Sequence, residues 1–332
     1  MLGASDKIVI TGGAGFIGGH IAEYFQEKGH NAHPLSRTDA DIRDLKALIR
    51  AFENADCVIH NAAKAGDWGN YRSFFENNVE GTLNVLKACI ERNISFVILT
   101  SSCSVYGEED NALIKDENSP HNSHYRYFAD RVFPSAMNYY RDTKRDAKLA
   151  AIEFCEENQI DLTIIEPVWV YGEGEFSSGF YEYLLTAKSG LPFVMGSKKN
   201  LFHTVYAKDL ARAYYLAYKA KLEGINSFLI GSENAEKMDR FLTMLCAEAG
   251  IKKPKTAPKS IMYPIGFLME LLYTIAGAKS PPALTRARVN MFYDNIEYSI
   301  KKAHDVLGFE CRYSLEQGVL NTVKWYKENG YL

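Results

Sequence analysis

The sequence lacks an excess of charge of either sign. Across 332 residues, 38 Lys and Arg stand against 41 Asp and Glu, a formal charge of −3 with no basic run. Phosphate backbones are gripped by concentrated Lys and Arg, so nucleic acid is excluded as a main partner. Cysteine is scarce and scattered (Cys57, Cys89, Cys103, Cys155, Cys246, Cys311) with no CxxC pair, which argues against disulfides or zinc and for reduced thiols in the cytoplasm. The first residues run straight into the strand-like Ile8-Val9-Ile10 without a charged n-region and apolar core, so no secretory leader is expected. No apolar stretch runs uninterrupted through a bilayer's thickness. Ile261 to Ala278 comes nearest, and Pro264 and Glu270 break it. It reads as a buried or amphipathic helix, the sharper alternative being a greasy flap over an apolar substrate or a membrane-surface contact.

What is present is the composition of a folded chain. Hydrophobic residues make up 47% and charged residues 24%, which excludes disorder as the dominant state. The first half alternates short β-rich runs (Lys7–Thr11, Ala32–Ser36, Cys57–Asn61, Phe96–Thr100, Leu162–Glu166) with helical patterns (Phe16–Lys28, Leu45–Phe52, Tyr71–Arg92, Tyr139–Asn158). That alternation predicts an α/β fold with a doubly wound parallel sheet. It weakens after Gly172, where loops separate helices near Phe180–Lys188, Ala207–Lys221, Asp239–Ala249 and Leu315–Tyr326. The expected division is a Rossmann dinucleotide-binding domain (1–172 and 202–230) and a smaller, mainly C-terminal substrate-binding domain (173–201 and 231–332).

Thr11-Gly12-Gly13-Ala14-Gly15-Phe16-Ile17-Gly18 leaves the first strand and opens the first helix. Glycines at this spacing permit a tight turn and let backbone N–H groups approach a pyrophosphate at a helix N-terminus. An acid after the second strand would read the ribose of NAD; Ser36 and Arg37 stand there instead, a hydroxyl and a guanidinium suited to a 2′-phosphate. NADP(H) is therefore favoured, with NAD(H) the alternative if Arg37 is solvated and Asp39 or Asp41 reads the ribose. Asp41, followed by Ile42, is also placed to meet the adenine amino group.

Tyr140 and Lys144 lie four residues apart, on one face of a predicted helix. Thr100-Ser101-Ser102 leaves a strand end, where open α/β sheets bind ligands. A phenol of pKa about 10 must fall by about three units to serve at neutral pH, roughly 4 kcal/mol of differential stabilisation. A neighbouring ammonium in a desolvated cleft supplies this, and Ser102 would hold the substrate oxygen against Tyr140.

With these residues in place, the chain resembles an extended short-chain dehydrogenase/reductase of the NAD-dependent epimerase/dehydratase superfamily. The likeness runs through the glycine turn, Asn61-Ala62-Ala63, Asn78-Val79-x-Gly81-Thr82, Ser101-Ser102…Val105-Tyr106-Gly107, Tyr140-x-x-x-Lys144 and Pro167…Val170-Tyr171-Gly172. It implies Tyr140 as acid/base, Lys144 also on the nicotinamide ribose, and Ser102 as third member. The implied cofactor set is Gly12, Gly15, Phe16, Ile17 and Gly18; Ser36, Arg37, Asp41 and Ile42; Ala62, Ala63 and Lys64; Thr100; Pro167 and Val170. Ala62 to Tyr71, Pro281 to Arg286 and Thr322 to Tyr326 are similar to the 3β-hydroxysteroid dehydrogenase-like branch, which implies a bulky apolar substrate. The resemblance also implies a homodimer built from the helices near Tyr71–Arg92 and Tyr139–Asn158. Glu166 departs from the arginine usual before that proline, and puts the local hydrogen bonding in question.

Dehydration and decarboxylation are disfavoured, because Cys103-Ser104 stands where those relatives carry extra acids. A nucleotide-sugar 4-epimerase is the alternative reading, though Asn200 to His203 lacks the arginine that holds a diphosphate. A non-catalytic dinucleotide-sensing scaffold is a further one, countered by the retained Tyr140 and Lys144. His121-x-x-His124 has no third ligand nearby and is not read as a metal site. Its loop, 108–134, reads as a substrate lid or a surface excursion. Trp68 and Tyr71 serve as packing or as substrate wall, and Cys103 as a small filler.

Overall fold

Short apolar runs become buried parallel strands because helices cover both faces of such a sheet. The computed structural model describes residues 6–107, 113–176, 179–191 and 193–332. Strands β1 (Lys7–Thr11), β2 (Asn31–Leu35), β3 (Cys57–His60), β4 (Phe96–Thr100) and β5 (Asp161–Pro167) join Ile225–Ile230 in one six-stranded sheet. All pairings are parallel, in the order β2-β1-β3-β4-β5 followed by Ile225–Ile230. The last strand escapes a search for apolar runs, since it opens with Ile225-Asn226-Ser227 and only Phe228–Ile230 are buried.

Helices α1 (Phe16–Glu27), α2 (Leu45–Ala51), α3 (Tyr71–Phe75), α4 (Gly81–Glu91), α5 (Ala136–Asn158), α6 (Phe180–Lys188) and α7 (Ala207–Ala220) come first. The C-terminal part adds α8 (Met238–Ala249), α9 (Lys259–Ile275), α10 (Arg286–Tyr293), α11 (Lys301–Leu307) and α12 (Leu315–Glu328). The period-two alternation of the strands sorts the core into two layers. Ile8, Ile10, Ile59 and Ile98 face α1 and α7; Val9, Val58, Val97 and Leu99 face α2, α4 and α5. The first layer continues without a break into α8, α11 and α12, so the C-terminal helices pack onto the sheet.

The helix expected over Tyr71–Arg92 is one rod interrupted by a π turn, Glu76–Glu80, between α3 and α4. Such turns mark places where a helix gives up regularity to aim a side chain. The parallel order brings the C-terminal ends of β1 to β5 to one edge, and β1 and β3 leave in opposite directions around the switch point.

Candidate active site

At the exit of β1 the backbone decides the residue types. Gly12 has φ +66°, and a Cβ there would lie 2.8 Å from the Ala62 Cα. A Cβ on Gly18 would lie 2.2 Å from the Gly12 carbonyl oxygen, so α1 can approach the turn only without a side chain. Gly13 N–H donates to the Leu35 carbonyl at 2.9 Å, fixing the turn to β2. No side chain caps α1 at Gly15, and the first-turn N–H groups of Phe16, Ile17 and Gly18 have no intrahelical acceptor. A Cβ on Gly15 would meet only the Gly12 carbonyl oxygen, at 3.3 Å. An open, positively poled helix end of this kind can take a pyrophosphate.

Beyond β2 the residues expected to meet the ribose or its phosphate are hydrogen-bonded to nearby carboxylates. The Ser36 hydroxyl donates to Asp39 at 2.6 Å, and Arg37 Nε reaches Asp41 at 3.1 Å. Arg43 also grips Asp41, with Nη2 at 2.6 Å, and holds its carboxyl well below the usual range. Asp41 is thus paired with two guanidinium groups. Ile42 is buried against Gly81 of α4.

β3 and β4 supply the middle of the site. Thr11 Oγ1 lies 2.7 Å from His60 Nδ1 and 3.2 Å from the Ala62 amide, which donates to it. His60 Nε2 reaches Thr82 Oγ1 at 3.0 Å, and burial pulls its pKa down to about 3, so it is a neutral tie. Asn78, inside the π turn, accepts from Lys64 N–H at 2.7 Å and donates to the Lys64 carbonyl and to Thr143 Oγ1. It clamps the Ala62-Ala63-Lys64 turn to α5, one residue before Lys144. Asn78 belonged to a recognised motif without a stated role; a fully buried asparagine in a helical stretch was its signal.

Lys144 Nζ donates to the Thr100 carbonyl at 2.7 Å. The residue is 6% exposed, and burial brings its pKa down to about 8, opposed by the charge of Glu166, so the ammonium prevails at neutral pH. Ser102 caps the 3₁₀ turn Cys103–Tyr106, its Oγ accepting from Ser104 N–H at 3.2 Å, which leaves the O–H to donate. Tyr140 shares the Lys144 face of α5 and packs, half-buried, beside Tyr127, Met137 and Ala287. Pro167 ends β5 on the same sheet edge; Val170, further on, is buried in the pairing of Trp169–Tyr171 with Thr204–Tyr206.

The question raised by Glu166 has a structural answer. Tyr106 donates to its carboxylate at 2.7 Å, and Lys148 Nζ lies 3.0 Å from the other oxygen. Lys148 also donates to Tyr106 Oη at 2.8 Å and meets His121 Nε2 at 3.1 Å. Lys148, one turn beyond Lys144, was not anticipated, although its i, i+4 spacing from Lys144 marks the shared face. His124 bridges Asp142 (2.7 Å) and Asp130 (2.8 Å). Among the described residues no three His, Cys, Asp or Glu could hold a metal ion. Residues 108–112 of the expected lid lie outside the described residues.

The segments singled out as narrower features meet in space. Asp67 accepts from Thr285 Oγ1 and from Arg288, and Trp68 Nε1 donates to the Ala278 carbonyl. Arg286 is fully buried, paired with Glu270 at 2.9 Å, and donates to the carbonyls of Phe128 and Phe133. Loop 125–133, α9 and α10 are thereby tied together beside Tyr140.

Comparison with known proteins bears on family and fold. A family model described as the NAD dependent epimerase/dehydratase family matches residues 8–231. A 2-alkyl-3-oxoalkanoate reductase of Stenotrophomonas maltophilia is 26% identical, over 94% of this chain and 97% of the relative. A 3beta-hydroxysteroid-dehydrogenase/decarboxylase of Arabidopsis thaliana is 26% identical over 86% of this chain, a match that spans 65% of that longer protein. N-acetyl-alpha-D-glucosaminyl-diphospho-ditrans,octacis-undecaprenol 4-epimerase of Escherichia coli is also 26% identical, over 97% of this chain and 95% of that one. Among solved structures, a Thermus thermophilus UDP-glucose 4-epimerase in complex with NAD superposes with a TM-score of 0.72 at 21% identity, covering 97% of this chain and 99% of that one.

Proposed function

Because the chain belongs to the NAD dependent epimerase/dehydratase family and its relatives are dehydrogenases, reductases and epimerases, we propose that this enzyme interconverts a secondary alcohol and a ketone on a bulky, largely apolar substrate. A bound nicotinamide supplies or accepts the hydride. Tyr140 Oη carries the proton to or from the substrate oxygen. Lys144, held by the Thr100 carbonyl, keeps a positive charge beside that phenol and lowers its pKa. The Ser102 hydroxyl donates to the same substrate oxygen and fixes it for transfer. The observation that carries the reading is Lys144: a buried amine on the Tyr140 face of α5, anchored to the Thr100 carbonyl at the strand end that leads to Ser102. Residues 173–201 and 231–332 are the proposed substrate-covering part.

NADP(H) is the cofactor we favour. Arg37 is exposed, and Asp41 keeps Arg43 if Arg37 leaves it, so the guanidinium can swing to a 2′-phosphate without stranding a charge. Asp39 beside Ser36 opposes this, and Arg37→Ala decides it: the KM for NADPH should rise about tenfold with that for NADH unchanged. A homodimer through α3–α4 and α5 is supported by the exposed Tyr71, Ile90 and Leu149 on those helices.

The relative that is a 4-epimerase supports a second reading. The two part on one assay, in which purified enzyme meets long-chain 3-keto and 3-hydroxy substrates with free cofactor. Stoichiometric appearance of oxidised or reduced cofactor in solution is the expected result, abolished by Tyr140→Phe. Turnover of a UDP-sugar without net cofactor change would establish the epimerase. Unchanged cellular activity of Tyr140→Phe with cofactor still bound would establish a scaffold.

A further inference from the structure

α9 does not bury the face its periodicity marks as apolar. Ile261, Ile265, Leu268, Leu272 and Ile275 recur at spacings of four and three along one side of the helix, and all five are exposed, Ile275 by 75%. The opposite side is spoken for: Gly266 sits against Thr285 and Val289, and Glu270 is locked to Arg286. The turn that Arg286 ties to α9 adds Phe128, 64% exposed, and Val132, 86% exposed. Phe128 packs edge-on against Phe267 of α9, so turn and stripe form one surface. Isolated exposed apolar residues are ordinary, whereas a continuous stripe of this length is not.

Asp130 in the turn is taken up by His124 and Asp294 by Lys259, and the exposed charges left unpaired around this surface have one sign. Arg126 and Arg131 flank Phe128 and Val132, Lys252 and Lys255 precede α9, and Lys279 follows it. All five are exposed, and among the described residues none forms an ion pair. From Ile251 to Arg288 the acidic residue present is Glu270, which is buried. A chain of net charge −3 has thus gathered unpaired cations at both ends of this apolar stripe. A second copy docking here would bring two cationic collars together. A bilayer of anionic headgroups over acyl chains matches both parts at once. We propose that the α9 stripe with the Phe128–Val132 turn seats this enzyme on an anionic lipid surface, lying in the interface without crossing it. No helix among the described residues is long and apolar enough to cross.

The test uses the full chain without substrate, so it is separate from the redox reading. Protein is sedimented with vesicles of phosphatidylcholine alone and of phosphatidylcholine mixed with phosphatidylserine. Binding should favour the mixed vesicles at least tenfold and weaken as salt rises. Leu268→Ser/Leu272→Ser/Ile275→Ser and Lys252→Glu/Lys255→Glu/Lys279→Glu should each lose about tenfold or more of that binding. Both variants alter exposed side chains and should still bind dinucleotide, which shows that they fold. Wild-type protein that stays in the supernatant, or variants that sediment like wild type, overturn the proposal. So does a wild-type dimer that the serine variant converts to monomer without any vesicle binding, which assigns the stripe to a second copy.

Discussion

Removing Lys148 should cost far more than removing a surface lysine. Its ammonium, 3% exposed, faces Glu166, 0% exposed, at 3.0 Å, and both share Tyr106. Lys148→Met leaves the carboxylate buried with a single phenol donor, and Glu166→Leu leaves the ammonium without its counter-charge. Breaking a buried pair from one side costs about 3–5 kcal/mol, because the survivor is uncompensated. Replacing both, as in Lys148→Met/Glu166→Leu, removes the desolvation penalty together with the attraction and should lie within about 1 kcal/mol of wild type. The expected cycle therefore couples by at least about 5 kcal/mol, read from urea midpoints at constant slope. Neutralising Glu166 also carries a functional readout. Glu166 raises the pKa of Lys144 against burial, so Glu166→Gln should let that amine fall below its value of about 8. Activity that depends on protonated Lys144 would then be lost at lower pH than in wild type. Single variants that cost under about 0.5 kcal/mol, or add without coupling and leave the alkaline limb in place, would refute this account of the pair.

Further outcomes follow from other contacts. Gly18→Ala pushes a methyl to 2.2 Å from the Gly12 carbonyl oxygen, so the turn must open and the dissociation constant for dinucleotide should rise more than tenfold, measured by calorimetry. Lys144→Met should lower kcat/KM by about 10²–10⁴ and move the basic limb of the pH profile towards the phenol's ordinary value of about 10. For His124, burial lowers the pKa, but hydrogen bonds to Asp142 and Asp130 outweigh it and raise the histidine above 6.5. Its stabilisation is thus complete below 6.5 and lost as pH rises through the raised folded value; the difference between wild type and His124→Gln in denaturation should close over that range. Asp44 accepts from Ala47 N–H at 3.0 Å at the start of α2, and Asp44→Ala should cost about 1 kcal/mol.

How much of this was legible in the sequence depends on whether a constraint is local. The glycine turn was readable because each glycine answers a steric demand at fixed spacing: Gly12 needs positive φ, and Gly18 has no room for a Cβ. Tyr140 and Lys144 were readable because one helical turn joins them. The strands showed as apolar runs wherever both faces are covered, and the exception, Ile225–Ile230, lies at the sheet edge with half its length uncovered. Glu166 could be flagged as a departure, but its partners come from a 3₁₀ turn 60 residues earlier and from α5, and nothing local announces them. Asp67 and Arg288 meet across 221 positions, which only the packing of α10 against the Ala62–Tyr71 segment reveals. Arg37 shows the converse. Its guanidinium after β2 suits a phosphate by type, and the chain also supplies Asp41 four residues on, with Arg43 to compete for it. A residue type states what chemistry is available, and the neighbours decide whether that chemistry is already spent. The α9 stripe obeys the same logic: its four-and-three spacing was written in the sequence, but periodicity names a face without saying what covers it. Its exposure became visible only once Glu270, on the other side, was found locked to Arg286.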